Sequence, residues 1–146
     1  GQYLIKAIQE EPLPAFDGVL ELIHGAQERH DFRLAIATSA TLELSQAILE
    51  SAKVPYQKMV YVNGSEIKRK KPDPELFLVA ASRMHILPAH CVVIEDAPSG
   101  VQAAKVAGAK CIAVTNSTSA DKLQEADLVC DSLERIDIET IQKLID

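Results

Sequence analysis

Apolar positions along the chain fall into two alternating kinds of segment. Val19, Leu22, Ile23 and Ala26 recur at three- and four-residue spacing, which predicts one buried face of a helix. Residues 33–37, RLAIA, form a short unbroken apolar run and predict a strand. Leu44, Ala47 and Ile48 mark the next helix, starting near Thr41, and KMVYV at residues 58–62 predicts a second strand. Asp73 followed by Pro74 predicts a helix start, with Phe77, Ala80, Ala81 and Met84 on its inner face. CVVIE at residues 91–95 is a strand, residues 99–106 are a helix, and Gly108 is its C-terminal stop. KCIAVT at residues 110–115 and ADLVC are further strands, separated by a short helix over residues 120–125. Ile138, Ile141 and Leu144 line a final helix, and residues 2–10 read as a short helix ended by EEPLP.

Strands and helices that alternate from end to end predict an α/β domain: a parallel sheet with helices on both faces. Strands buried on both sides account for the solidly apolar VVI and IAV runs. Ligands in such folds bind beyond the carboxyl ends of the strands, so the residues just after each strand are the candidates for chemistry.

Composition narrows the picture further. The 146 residues suit one domain, and the apolar fraction of 47% supports a real core. A net charge of -6 argues against a nucleic-acid surface. No apolar run is long enough to span a membrane, and GQYLIKAIQEEP lacks the features of a signal peptide. Cys91, Cys111 and Cys130 are odd in number and include no C-x-x-C, so they read as buried thiols in a reducing, cytoplasmic setting. His24, His30, His85 and His90 show no metal spacing.

Four positions at strand ends remain. Thr38 closes LAIAT and is followed by Ser39, Ala40 and Thr41; it suits either a phosphate contact or the N-cap of the next helix. Lys71 in KRKKPDPELF is held extended by Pro72, whereas Lys68, Arg69 and Lys70 read as solvated charge. An unspecialised Lys-Pro turn is the competing reading. Glu95 and Asp96 are adjacent carboxylates after a buried strand, which repel unless a cation lies between them. Hard oxygen donors suit Mg²⁺, and the alternative is an acidic cap on the helix opened by Pro98, Ser99 and Gly100.

The order of these features, Thr38, then K-P-D-P from Lys71, then VVIEDAPSGVQAAKVAGAKCIAV, resembles the haloacid dehalogenase superfamily. Within it the likeness is to the β-phosphoglucomutase-like and phosphoglycolate-phosphatase-like branch, and it runs from about Pro12 to Asp146. The resemblance implies a three-layer, Rossmann-like core. It implies that Thr38, with the Ser39 backbone, and Lys71 bind phosphate and take part in catalysis, and that Glu95 and Asp96 hold Mg²⁺. It further implies a phosphatase acting on a small phosphorylated metabolite, phosphoglycolate or a sugar phosphate, through an aspartyl-phosphate. A phosphosugar mutase and a non-catalytic phosphate-binding protein are the alternatives. A signalling receiver domain uses similar residues, but there the acidic pair comes first.

The family's nucleophile motif, D-x-D-G, does not occur in the sequence. Asp17 in AFDGVLEL is not a substitute, because no apolar strand precedes it and Val19 stands where the second acid would be. The chain therefore reads as a C-terminal core fragment. Residues 1–12 would be the end of a cap-domain helix and linker, and residues 13–146 an incomplete core domain without its first strand. That first strand lies centrally in the family, so its absence predicts two exposed inner sheet edges and self-association through them.

Overall fold

The computed structural model of the chain describes the backbone of residues 2–7 and all of residues 18–146. Strands and helices follow one another as β1 (Gln2–Ala7), α1 (Val19–Gln27), β2 (Phe32–Ala37), α2 (Leu42–Ser51), β3 (Val60–Val62) and α3 (Glu75–Met84). The second half continues with β4 (Cys91–Glu95), α4 (Pro98–Ala107), β5 (Lys110–Val114), β6 (Leu128–Cys130) and α5 (Ile138–Ile145). The strands form one parallel sheet in the order β3-β2-β1-β4-β5-β6. The chain order reverses on either side of β1, which creates a crevice at the carboxyl ends of the strands beside it.

Alternation of side-chain size along the strands sorts the helices into two layers. Leu34, Ile36, Val92, Ile94, Ile112 and Val114 point to one face and pack with α1, α2 and α5. The other face presents Ala35, Ala37, Cys91, Val93, Cys111 and Ala113 to α3 and α4. The smaller side chains there let α3 and α4, themselves rich in buried alanine at Ala80, Ala81, Ala103 and Ala104, lie close to the sheet. Gly108 ends α4 with φ +90°, the left-handed conformation expected at that position.

Four expectations are corrected. Residues 2–7 are a strand, not part of a helix; residues 8–10 and Asp17 lie outside the described residues. The cause is non-local. A nine-residue helix is marginal on its own, whereas the slot between β2 and β4 offers two rows of backbone partners. The two inner edges expected to be open are therefore paired, although QYLIKA brings no acid to the sheet centre. In α2 the buried face is Ser45, Ile48 and Leu49, while Leu44 and Ala47 are exposed. Ser45 takes the inner position because its hydroxyl bonds the Leu42 carbonyl and the Tyr61 hydroxyl. The short helix expected over residues 120–125 is a 3₁₀ turn, Ala120–Leu123.

Asp127, just before β6, fastens α4 to the sheet. One oxygen accepts from Lys105 Nζ and from the Cys111 amide, each at 2.7 Å. Burial pushes its carboxyl up, but the Lys105 and Cys111 bonds outweigh that and hold it below the usual range. The unfolded chain thus takes up this proton before the folded one does. Its stabilisation is present above about pH 4 and is lost as pH falls through the depressed folded value. We expect Asp127→Asn to lower stability by about 1 kcal/mol at pH 7 and to flatten the acid limb of a urea-unfolding series. An unchanged acid limb would show that Asp127 contributes nothing.

Candidate active site

Strand register aligns the candidate residues. Ala7 of β1 pairs with Ala37 of β2, and Lys6 of β1 pairs with Ile94 of β4. Ala37 and Glu95 are therefore level across β1. Thr38 and Asp96, each one step further on, face each other across two strand spacings, about 10 Å.

Thr38 is fully buried, and its amide donates to the Val62 carbonyl at 3.0 Å. It is not the helix cap. Thr41 is the N-cap of α2, accepting from the Leu44 amide at 3.3 Å. The Thr38 hydroxyl instead accepts from the Ala40 amide at 3.1 Å, which curls the Thr38–Ser39–Ala40 backbone into a tight loop at the strand end. A hydroxyl can accept one hydrogen bond and donate another at the same time.

Lys71 is held by a local frame. Asp73 accepts from the Glu75 amide at 2.9 Å to start α3, and Glu75 in turn accepts from the Lys68 and Arg69 amides. Lys68, Arg69 and Lys70 are exposed, as expected. Lys71 alone turns inward. Its side chain is 9% exposed, and its ammonium donates to Glu95 Oε2 at 3.3 Å. An unspecialised turn would leave it in solvent.

Glu95 and Asp96 are both fully buried, and neither is the N-cap of α4; that position is Ala97, whose side chain makes no capping bond. Glu95 Oε1 accepts from the Asp96 and Ala97 amides at 3.1 and 3.3 Å. Burial pushes the Glu95 carboxyl above the usual range; Lys71 pulls it part of the way back, and Asp96 adds to the rise. Gly100 makes this packing sterically accessible, since a Cβ there would lie 2.0 Å from the Glu95 carboxyl carbon. Asp96 receives a 2.5 Å hydrogen bond from the Ser117 hydroxyl, in the loop after β5.

Two adjacent buried carboxylates are hard donors of the kind Mg²⁺ takes one or two at a time, completing its shell with phosphate and water oxygens. Among the described residues no cluster of three or more His, Cys, Asp or Glu could hold a metal unaided. The donor set thus fits a cation shared with a ligand rather than a closed metal cage. Asp96 and Glu95 would be its protein ligands.

The structure therefore brings Lys71 and Glu95 into contact, sets Asp96 next to them, and places Thr38 and Ser39 level with them on the other side of β1. Sequence reasoning missed Ser117, whose polarity in TNSTS gives no local sign that it meets an acid 21 residues away. The three cysteines are free, and Cys91 and Cys111 are buried. Burial raises the Cys91 thiol to about 11 and pushes Cys111 and Cys130 up as well, so all three are poor nucleophiles. Among the described residues no helix is long and apolar enough to cross a membrane.

Comparison with known proteins identifies the family. The sequence pattern of the haloacid dehalogenase-like hydrolases matches residues 2–114. Hexitol phosphatase A of Escherichia coli (strain K12) is 34% identical over 134 residues, 92% of this chain and 61% of that protein. Validoxylamine A 7'-phosphate phosphatase of Streptomyces hygroscopicus subsp. limoneus is 32% identical over 120 residues, 82% of this chain and 56% of that protein. The chain thus spans somewhat more than half the length of these relatives. The structure of CbbY from Rhodobacter sphaeroides in complex with phosphate superposes with a TM-score of 0.77 at 27% identity, covering 87% of this chain and 58% of that one. The chain accordingly belongs to the haloacid dehalogenase-like hydrolase family.

Proposed function

We propose that this chain carries the phosphate-holding and cation-holding half of a Mg²⁺-dependent phosphatase for a small phosphorylated metabolite, such as a sugar or polyol phosphate. The observation that carries the reading is the buried Lys71–Glu95 pair beside Asp96, opposite the Thr38 loop. A lysine confined this way is a fixed positive charge at the rim of the crevice, and Glu95 sets where its ammonium lies. Thr38 donates its hydroxyl proton, and Ser39 its backbone amide, to phosphoryl oxygens from the opposite side. Mg²⁺ bound at Asp96 with Glu95 would supply further neutralisation of phosphoryl charge. These contacts orient the group and stabilise its charge, which is most of what phosphoryl transfer asks of a protein. No residue of the sequence is assigned the attack on phosphorus, because D-x-D does not occur in it. The matched phosphatases, by name, act on a hexitol phosphate and on validoxylamine A 7'-phosphate, which supports the substrate class.

The 146-residue chain is expected to bind inorganic phosphate in the presence of Mg²⁺ but not to turn over substrate. Titration followed by ³¹P NMR should show binding that weakens at least about tenfold in Thr38→Ala. Absence of binding by the unaltered chain would overturn the reading of the site. Steady Mg²⁺-dependent phosphate release above a Glu95→Ala/Asp96→Ala control would overturn the expectation of no turnover.

A further inference from the structure

Gly64 lies against the phosphate loop with no room for a side chain. A Cβ built on it would sit 2.0 Å from the Ser39 carbonyl oxygen and 2.9 Å from that of Ala40. Its amide donates to the Ala40 carbonyl at 2.6 Å, and the next residue, Ser65, accepts the Leu42 amide on its hydroxyl at 3.2 Å. With the Thr38 amide on the Val62 carbonyl, residues 38–42 are stitched at three points to residues 62–65. The backbone of Ser39 thus takes its course from a turn more than 20 residues later in the chain.

That turn is itself locked. Asn63, buried to 4% exposure, accepts from the Ser65 amide at 2.9 Å. Glu66 reaches back to the Asn63 amide at 2.9 Å and to its side-chain nitrogen at 3.0 Å, closing a capping box. The other Glu66 oxygen meets Arg83 of α3 at 2.7 Å, and Arg83 also donates to the Tyr61 carbonyl at 3.3 Å. Burial pushes the Glu66 carboxyl up, but the Arg83 and Asn63 bonds prevail and keep it below the usual range. A rigid chain of contacts therefore runs from α3 through Glu66 and Asn63 to Gly64, and from Gly64 to Ser39.

We infer that the Asn63–Gly64–Ser65–Glu66 turn, locked by Arg83, is a positioning device that sets the phosphate affinity of the Thr38–Ser39 loop. None of these residues needs to touch the phosphate. Gly64 fixes how far the Ser39 carbonyl can move, and that fixes the direction of the amides on either side of it. The inference rests on the phosphate-binding reading of the site, and it predicts which substitutions separate phosphate affinity from folding and from cation affinity.

The test compares Gly64→Ala with Gly108→Ala. Both remove a glycine, but Gly108 is at the left-handed end of α4, where the nearest atom to an added Cβ, on Pro88, is 3.9 Å away. Phosphate affinity is measured by ³¹P NMR, Mn²⁺ affinity by its electron paramagnetic resonance signal, and folding by thermal melting. Gly64→Ala should lower phosphate affinity about tenfold and leave Mn²⁺ affinity within about twofold. Gly108→Ala should lower the melting temperature and leave both affinities unchanged. Ser65→Ala adds no bulk, loses only the Leu42 contact, and should weaken phosphate a few-fold, so the inference stays testable if Gly64→Ala does not fold. Equal loss of phosphate affinity in Gly64→Ala and Gly108→Ala, or none in Gly64→Ala and Ser65→Ala, would overturn the inference while leaving the site intact. No phosphate binding by the unaltered chain would instead remove the reading on which it stands.

Discussion

Replacing Lys71 by methionine is expected to cost about 3 kcal/mol of folding stability at neutral pH, because it leaves Glu95 buried without its ammonium. Glu95 is 0% exposed and Lys71 9%, so water replaces little of the lost interaction. Protonation of Glu95 limits the loss, and that gives the variant a pH signature. In the native fold the Glu95 carboxyl already stands above its ordinary 4.5, chiefly through burial, and without Lys71 it rises further. The folded state then holds a proton that the unfolded state has released. The contribution of Glu95 to stability is greatest below pH 4.5 and falls as pH rises towards the raised folded value, over a wider range in Lys71→Met than in the parent. Chemical denaturation from pH 4 to 8 measures it. Adding Glu95→Gln to Lys71→Met should restore most of the stability and abolish the steeper pH slope. Equal pH slopes in Lys71→Met and the parent would show that the two groups are not energetically coupled. The phosphate affinity of the double variant should remain low, since the restored fold lacks the positive charge.

Gly100→Ala is expected to destabilise the protein by about 2 kcal/mol, although alanine favours helix over glycine by about 1 kcal/mol. The added methyl would lie 2.0 Å from Glu95 Cδ, 2.1 Å from Oε2 and 2.3 Å from Cγ. Oε2 is the oxygen that Lys71 holds, while Oε1 is tied to the Asp96 and Ala97 amides. The carboxylate therefore has no vacant direction in which to yield without breaking bonds in a fully buried site. Glu95→Ala in the Gly100→Ala background makes room for the methyl, so the double variant should lose less than the sum of the two single changes. Additive losses, read from urea midpoints at constant slope, would contradict the steric account.

Much of this arrangement is visible in the order of residues. Thr38 and Lys71 stand out because each follows a strand and precedes a helix start, and Glu95 and Asp96 because a run of buried residues ends in acids. Local patterns of that kind fix positions relative to neighbouring elements, and the parallel sheet then brings the strand ends together. Three things were not legible for physical reasons. Residues 2–7 take their conformation from two strands 25 or more positions away, which no local window contains. The face of α2 is rotated because Ser45 satisfies its hydroxyl inside, whereas a reading by hydropathy sends Leu44 inward. Ser117, Gly64 and Glu66 act through bonds to residues distant in sequence, and a loop residue carries no sign of such a partner.

Helix α3 touches the site at both of its extremities. Lys71 lies just ahead of its first turn and Arg83 in its last, and each fastens a different half of the crevice. Fraying of this ten-residue segment would slacken both grips together, rather than one after the other. Retention of an anion is thereby tied to the integrity of one short helix, and a bound anion would in turn slow the exchange of that helix's amide protons with solvent.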